Sequence, residues 1–250
     1  MIVDCHIHLY GEPDAVAASV ERLLPYADRL DIAKLIVSLG HALCPKPDAA
    51  RIATDTEYVV RAVECAPDRL EGLVYASPNH VDMSLKLMER HIASGPLKGV
   101  KLWICRKCSD PACDPIAAYA GELGVPILVH TWMKSTGNSP GESTSYDLLE
   151  LATRHPQTAF VMAHSGGDWE RGLRTVADQT NICADICGGD PEAGQTEYGV
   201  QWLGAERVLY GSDATGRSLA SQLGKVIGAS ISDEDRRLVL GENAVRVFGL

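Results

Sequence analysis

The sequence has no Ser-, Gly- or Pro-rich stretch long enough to serve as a linker, which argues against two tethered domains. It has no excess of positive charge: 33 acidic residues face 23 basic ones, a formal charge of -10, so the chain as a whole repels nucleic acid and anionic lipid. No apolar run reaches membrane-spanning length, and Met1-Ile2-Val3-Asp4-Cys5 carries neither the basic nor the apolar region of a secretory leader. These absences predict a cytoplasmic protein that acts on small molecules, with no nucleic-acid or membrane partner. What is present is the composition of a packed chain, 46% hydrophobic and 22% charged, and its 250 residues suit one domain spanning 1–250.

Short β-rich apolar runs recur, each followed by a turn and a segment of helical spacing. The strand candidates are Ile2–His8, Leu35–Gly40, Leu70–Ala76, Gly99–Trp103, Pro126–Thr131, Ala159–His164, Ile182–Ile186 and Val208–Ser212. The expected helices are Asp14–Leu30, Ala49–Cys65, Met83–Ala93, Pro115–Leu123, Tyr146–Arg154, Trp169–Ala177 and Glu197–Leu203, with a helical tail from Leu219 onward. Asp114 before Pro115 has the form of an N-cap, and Gly124 that of a C-cap. Eight βα units predict an α/β fold closed as a (β/α)8 TIM barrel, with a doubly wound open sheet as the alternative.

His6 and His8 lie two apart on the first strand, so their imidazoles share a face. Taken alone the pair could be half-buried strand residues. However, His130 ends the fifth strand, His164 ends the sixth and Asp213 follows the eighth. In a barrel those ends converge on the active-site face. His6, His8, His130 and Asp213 can then share one divalent cation, Zn²⁺ or another first-row metal, with a position left for water. Bound water would ionise near pH ~7, with His164 or Asp213 to move its proton.

The motif Asp-x-His-x-His, Gly-Val-Lys-Leu-Trp, His130, Ala163-His164-Ser165-Gly166-Gly167, Gly211-Ser212-Asp213 and the closing Glu242–Phe248 together resemble the amidohydrolase superfamily, in its amidohydrolase-2 branch. That branch includes metal-dependent hydrolases, lactonases and decarboxylases similar to aminocarboxymuconate semialdehyde decarboxylase. The resemblance implies that His6, His8, His130 and Asp213 hold the metal, one per chain, and that His164 orients water or substrate. It also implies that Lys101, if carboxylated, could bridge a second metal, and that the chain could associate as a homodimer. Lys101 could instead be an exposed or ion-paired lysine near the strand end, with Val100 and Leu102 facing the barrel interior.

The chain has eight cysteines, and Cys105, Cys108 and Cys113 share one loop after the fourth strand. They form either a structural zinc or redox group, or a set of reduced thiols beside Arg106 and Lys107. Trp103, Arg106, Trp132 and Cys187 are candidates to contact substrate, as are Tyr10 and His41, and Thr131–Ser145 is a candidate lid. Hydrolysis of an ester, lactone or amide is the first functional expectation. Non-oxidative decarboxylation of an unsaturated or aromatic acid is the second, with Arg106, Lys107 or Arg217 as partners for its carboxylate, and a binding protein without catalysis is the third. Replacing His6 by alanine is expected to remove metal and activity and to leave the fold largely intact.

Overall fold

A computed structural model describes residues 1–12, 14–39, 44–189 and 192–250. His41 and Gly40 fall outside the described residues. The strands are β1 (Ile2–Ile7), β2 (Ile32–Val37), β3 (Leu70–Gly72), β4 (Val74–Ala76), β5 (Val100–Leu102), β6 (Ile127–Val129), β7 (Phe160–Met162), β8 (Ile182–Asp185) and β9 (Val208–Leu209). β3 and β4 are two halves of one barrel strand on either side of Leu73, so the nine segments make eight parallel staves. The circle closes between the last and first staves, where Cys5 N donates to Tyr210 O (3.0 Å) and Asp213 N donates to His6 O (2.8 Å). An open doubly wound sheet would leave those groups unpaired, so the fold is the (β/α)8 barrel.

Two layers of apolar side chains follow from strand alternation. Ile127 and Val129 on β6, and Phe160 and Met162 on β7, face outward into the large cluster shared with the helices. Leu128 and Val161 point inward, with Val3, Cys5, Ile36, Leu73, Cys183 and Leu209. Ala244 and Phe248 of the terminal helix α10 (Asn243–Phe248) join this inner cluster and plug the end of the barrel opposite the histidines.

The helices α1 (Val16–Asp28), α2 (Ala49–Cys65), α3 (Val81–Met88), α4 (Asp114–Leu123), α5 (Ser145–Arg154), α6 (Trp169–Thr175) and α7 (Gln195–Leu203) alternate with the strands. Gly124 takes the left-handed conformation (φ 67°) that ends α4. Asp114 does not cap α4 but opens it: the carboxylate of Asp110 accepts from Ala112 N (2.9 Å) and caps a short turn that runs into the helix. The expected tail helix divides into α8 (Leu219–Ile227), α9 (Asp233–Arg237) and α10. Gly228 ends α8, and Ser232 Oγ accepts from Asp235 N to start the chain afresh. β2 begins three residues before its expected start because Lys34 is tolerated in it, paired to Glu71 at 2.7 Å. Among the described residues, no helix is long and apolar enough to cross a membrane.

One carboxylate joins two loops on the histidine face. Asp147 accepts from Thr144 N (2.8 Å), Thr144 Oγ1 (2.8 Å) and Ser109 Oγ (2.8 Å), and pairs with Lys107 at 3.3 Å. Burial alone would raise its pKa, but these donors outweigh burial and hold it below the usual carboxylate range. Replacing Asp147 by asparagine is expected to cost about 1–3 kcal/mol at neutral pH. Because the folded-state pKa is depressed, this contribution is present above the unfolded pKa near ~3.9 and is lost as pH falls below it. Urea unfolding of both proteins at pH 7 and pH 3.5 checks this: the gap between them should shrink in acid.

Candidate active site

The register of β1 explains how both histidines reach the interior. Asp4 pairs with Leu35 and Ile7 with Val37, so three steps on β1 oppose two on β2. This bulge changes the phase of the strand, so that Cys5 belongs to the inner apolar cluster while His6 and His8 also turn inward above it.

Their tautomers are set by what lies behind them. His8 Nδ1 is 2.7 Å from the carbonyl of Ser38, which can only accept, so a ring proton sits on Nδ1 and Nε2 is the atom turned to the site. His8 Nε2 is 3.3 Å from Asp213 Oδ1. His6 Nδ1 lies 2.9 Å from Asp185 Oδ2, which leaves His6 Nε2 as an acceptor for Lys101 Nζ at 2.9 Å. Ligand atoms of His6, His8 and Asp213 all lie within 4.8 Å of one another. Histidines held through Nδ1 by a carboxylate and by a carbonyl, with Nε2 presented beside a carboxylate, fit a divalent cation.

Lys101 is fully buried, and its neighbours Val100 and Leu102 pack in the outer cluster, so its side chain occupies the barrel interior. The alternative of an exposed lysine falls with that. Burial brings its pKa down to about 8, against the opposing pull of Asp185. Its ammonium stands on the side of His6 from which a cation would approach.

His164 was expected to end a strand, but β7 stops at Met162 and His164 lies in a left-handed turn (φ 60°), followed by Ser165 (φ 48°). Asp185 holds this turn: Oδ1 accepts from His164 N at 2.8 Å, and its backbone carbonyl accepts from Ser165 Oγ at 2.8 Å. Asp213 also has positive φ (58°), so the site carries backbone strain that its surroundings must sustain. Cys187 Sγ lies 3.0 Å from His6 Nδ1 and 3.2 Å from His164 Nδ1. It is therefore embedded within the cluster. Gly188 (φ 73°) packs so closely that a Cβ there would fall 2.4 Å from His164 Nδ1.

His130 is not part of the close group formed by His6, His8 and Asp213. Its Nδ1 lies 3.2 Å from His164 Nε2, and its Nε2 lies 3.1 Å from Glu142 Oε1. Glu142 belongs to the loop after β6 and also accepts from Lys134 Nζ at 2.6 Å and Ser139 N at 3.1 Å. The loop thus reaches the cluster through Glu142, which sequence reasoning missed along with Asp185. The signal for Asp185 was available: it sits two residues beyond Cys183 on one strand, and so shares its inward face.

The protonation states suit ligands. Burial, reinforced by Lys101, lowers His6 to about 4, and burial together with the neighbouring imidazoles drives His164 well below the usual range. Both rings are neutral at pH 7. Burial would raise Asp185 and Asp213, but His6 and His164 outweigh it at Asp185, and the bond to His8 with the same two rings does so at Asp213. Both stay carboxylates.

Of the other expected contacts, Trp132 has its ring 4.9 Å from His164, and Tyr10 stacks on His8 at 5.9 Å. Trp103 packs against the outer core. Arg106 is exposed and engaged with Asp110 (2.7 Å) and Asn79 (2.8 Å), and Lys107 pairs with Asp147. Cys105 Sγ contacts Ser77 Oγ at 3.3 Å and Cys113 Sγ donates to Lys107 O at 3.7 Å. With Cys108 they do not form a metal-suited group among the described residues, and burial pushes the Cys108 thiol up to about 12. The structure pairs none of the three in a disulfide.

The barrel and its buried histidine–carboxylate cluster define a class of metal-suited enzyme sites. A family model described as amidohydrolase matches residues 3–250, and the chain belongs to the amidohydrolase family. No curated protein matches the sequence. Among solved structures, the chain is similar to 5-carboxyvanillate decarboxylase from Sphingomonas paucimobilis at 16% identity, with 100% of this chain and 99% of that chain covered and a TM-score of 0.79. It is also similar to a dihydroxybenzoic acid decarboxylase from Polaromonas sp. JS666, with bound manganese and 2-nitroresorcinol, at 15% identity, 100% and 97% coverage and a TM-score of 0.80. A third is 4-oxalomesaconate hydratase from Rhodopseudomonas palustris, at 17% identity, 100% and 96% coverage and a TM-score of 0.72.

Proposed function

We propose that this chain is a metal-dependent, non-oxidative decarboxylase of a small aromatic or unsaturated carboxylic acid. The observation that carries this reading is the burial of the inner cluster: His6, Lys101 and Asp185 are fully buried, with Cys187, His164 and His8 nearly so, while Asp213 is partly exposed. Hydrolysis, the first expectation from sequence, consumes a water. Loss of CO₂ needs none, and burial disfavours the localised charge of a carboxylate relative to the delocalised anion left when CO₂ departs. Two of the three similar structures described above are decarboxylases and the third is a hydratase, which supports the same order by analogy.

His6, His8 and Asp213 would hold the cation, and their nitrogen and oxygen donors suit zinc or manganese alike. Bound there, the cation supplies fixed positive charge that holds and polarises substrate oxygens. When CO₂ leaves, the electron pair of the broken C–C bond stays on carbon, and that carbon takes up one proton. Asp213, held as a carboxylate, can take that proton from a substrate hydroxyl and return it to the carbon. His164, neutral and hydrogen-bonded to His130, orients the substrate's oxygen beside the faces of Trp132 and Tyr10.

Hydroxybenzoates, lactones and aryl esters, each incubated with manganese-loaded protein in D₂O, test this reading. CO₂ release with one deuterium at the vacated carbon is expected. Acid release from a lactone or ester without CO₂ from any acid would return the assignment to hydrolysis.

A further inference from the structure

A cavity lies between the C-terminal half of α1 and residues 214–220, and none of the clustered histidines lines it. Its volume is about 440 Å³, within the range of small-molecule sites. Leu23, Leu30, Leu219 and Ala214 give it an apolar wall, and Tyr26, 59% exposed, stands at its edge. Two guanidiniums, Arg29 and Arg217, line the same space, and no aspartate or glutamate does. Among the described residues neither side chain has a hydrogen bond or ion pair; Arg29 instead lies over the Tyr26 ring at 5.4 Å. In a protein of formal charge -10, two exposed guanidiniums beside an apolar cavity that no acidic residue lines present local positive charge to an anion.

We propose that this cavity is a binding site for a small, apolar carboxylic acid, with its carboxylate between Arg29 and Arg217 and its apolar body against Leu23, Leu219 and Tyr26. A planar carboxylate matches the fork of a guanidinium, and Tyr26 offers a face for an aromatic ring. The site touches the catalytic machinery through its wall. Residues 214–217 continue directly from Asp213: Arg217 N donates to Asp213 O (3.1 Å), Thr215 N to His8 O (3.0 Å), and His8 N to Ala214 O. An occupant that shifts this segment would therefore shift two of the residues that face the metal position. The inference does not depend on which reaction the barrel catalyses.

Benzoate titrated into the full-length protein with ¹³C-labelled methyl groups is the test, with neutral benzyl alcohol as comparison. Saturable shifts at Leu23 and Leu219 are expected for benzoate, about tenfold weaker in Arg217→Met and in Arg29→Met, and weaker for benzyl alcohol. Shifts confined to the surroundings of Trp132 would place benzoate at the histidine cluster alone and overturn the proposal. Leu23 and Leu219 shifts that are unchanged in both variants would overturn it too. Both arginines are exposed, and either variant tests the site by itself if the other proves insoluble.

Discussion

Replacing His6 by alanine should reduce bound metal from about one atom per chain to near zero and lower turnover by about 10³-fold or more. The ring supplies one of three converging ligand atoms, and neither Asp185 nor Lys101 can substitute for Nε2 in place. The sequence alone predicts a variant with an intact fold, but the structure changes that expectation. His6 lies between a buried ammonium at 2.9 Å and a buried carboxylate at 2.9 Å, so alanine leaves two opposite charges facing a void. A loss of about 3–5 kcal/mol follows from breaking such a buried network, softened if water fills the space. Elemental analysis and urea unfolding read the two effects separately. Unchanged metal content in a folded variant would remove His6 from the ligand set. In the unmodified protein, about two atoms per chain would instead point to a second ion, bridged by a carboxylated Lys101 or held in the group of His6, His164, Asp185 and Cys187.

Much of the barrel was legible because each stave carries its own signal. The apolar runs at Ile127–Val129 and Phe160–Met162, and α2 from Ala49 to Cys65, match their expected positions because β-branched and aromatic residues alternate with helical spacing there. The tail was not legible, since residues 219–250 keep helical propensity through breaks set by Gly228 and by the cap at Ser232, local devices that periodicity does not register. At the site, strand alternation identified His6 and His8. It could not show that a bulge in β1 also turns Cys5 inward, nor that His130 would bond to His164 rather than join the close group. Those outcomes depend on register and loop path. Glu142 lay hidden for the same reason: it reaches His130 from a loop twelve residues on, and no pattern in 131–144 marks it.

Asp185 is the sharpest case, and replacing it by asparagine should impair the site while altering almost no volume. Oδ1 can still accept from His164 N and Cys187 N, which now bond at 2.8 Å and 3.2 Å. The other position becomes an NH₂ facing the Nδ1 proton of His6, donor against donor. Relief comes if His6 moves its proton to Nε2, but that proton then points at the Lys101 ammonium and removes the lone pair offered to a cation. Metal affinity should therefore fall by about 10- to 100-fold, as is usual when the group behind a ligating histidine is altered. Activity at saturating metal should fall as well, because the wrong tautomer persists in the loaded site. Alanine should go further and cost about 3–5 kcal/mol of stability, because the left-handed turn at His164 and Ser165 loses the carboxylate that satisfies its amide. Competition with a chelator of known affinity measures the first effect, and ¹⁵N spectra of the histidine rings report the tautomer directly. If Asp185→Asn kept its metal affinity within about threefold and His6 kept its proton on Nδ1, the carboxylate would be holding only the turn, and the fixing of His6 would have to come from Cys187, 3.0 Å from the same nitrogen.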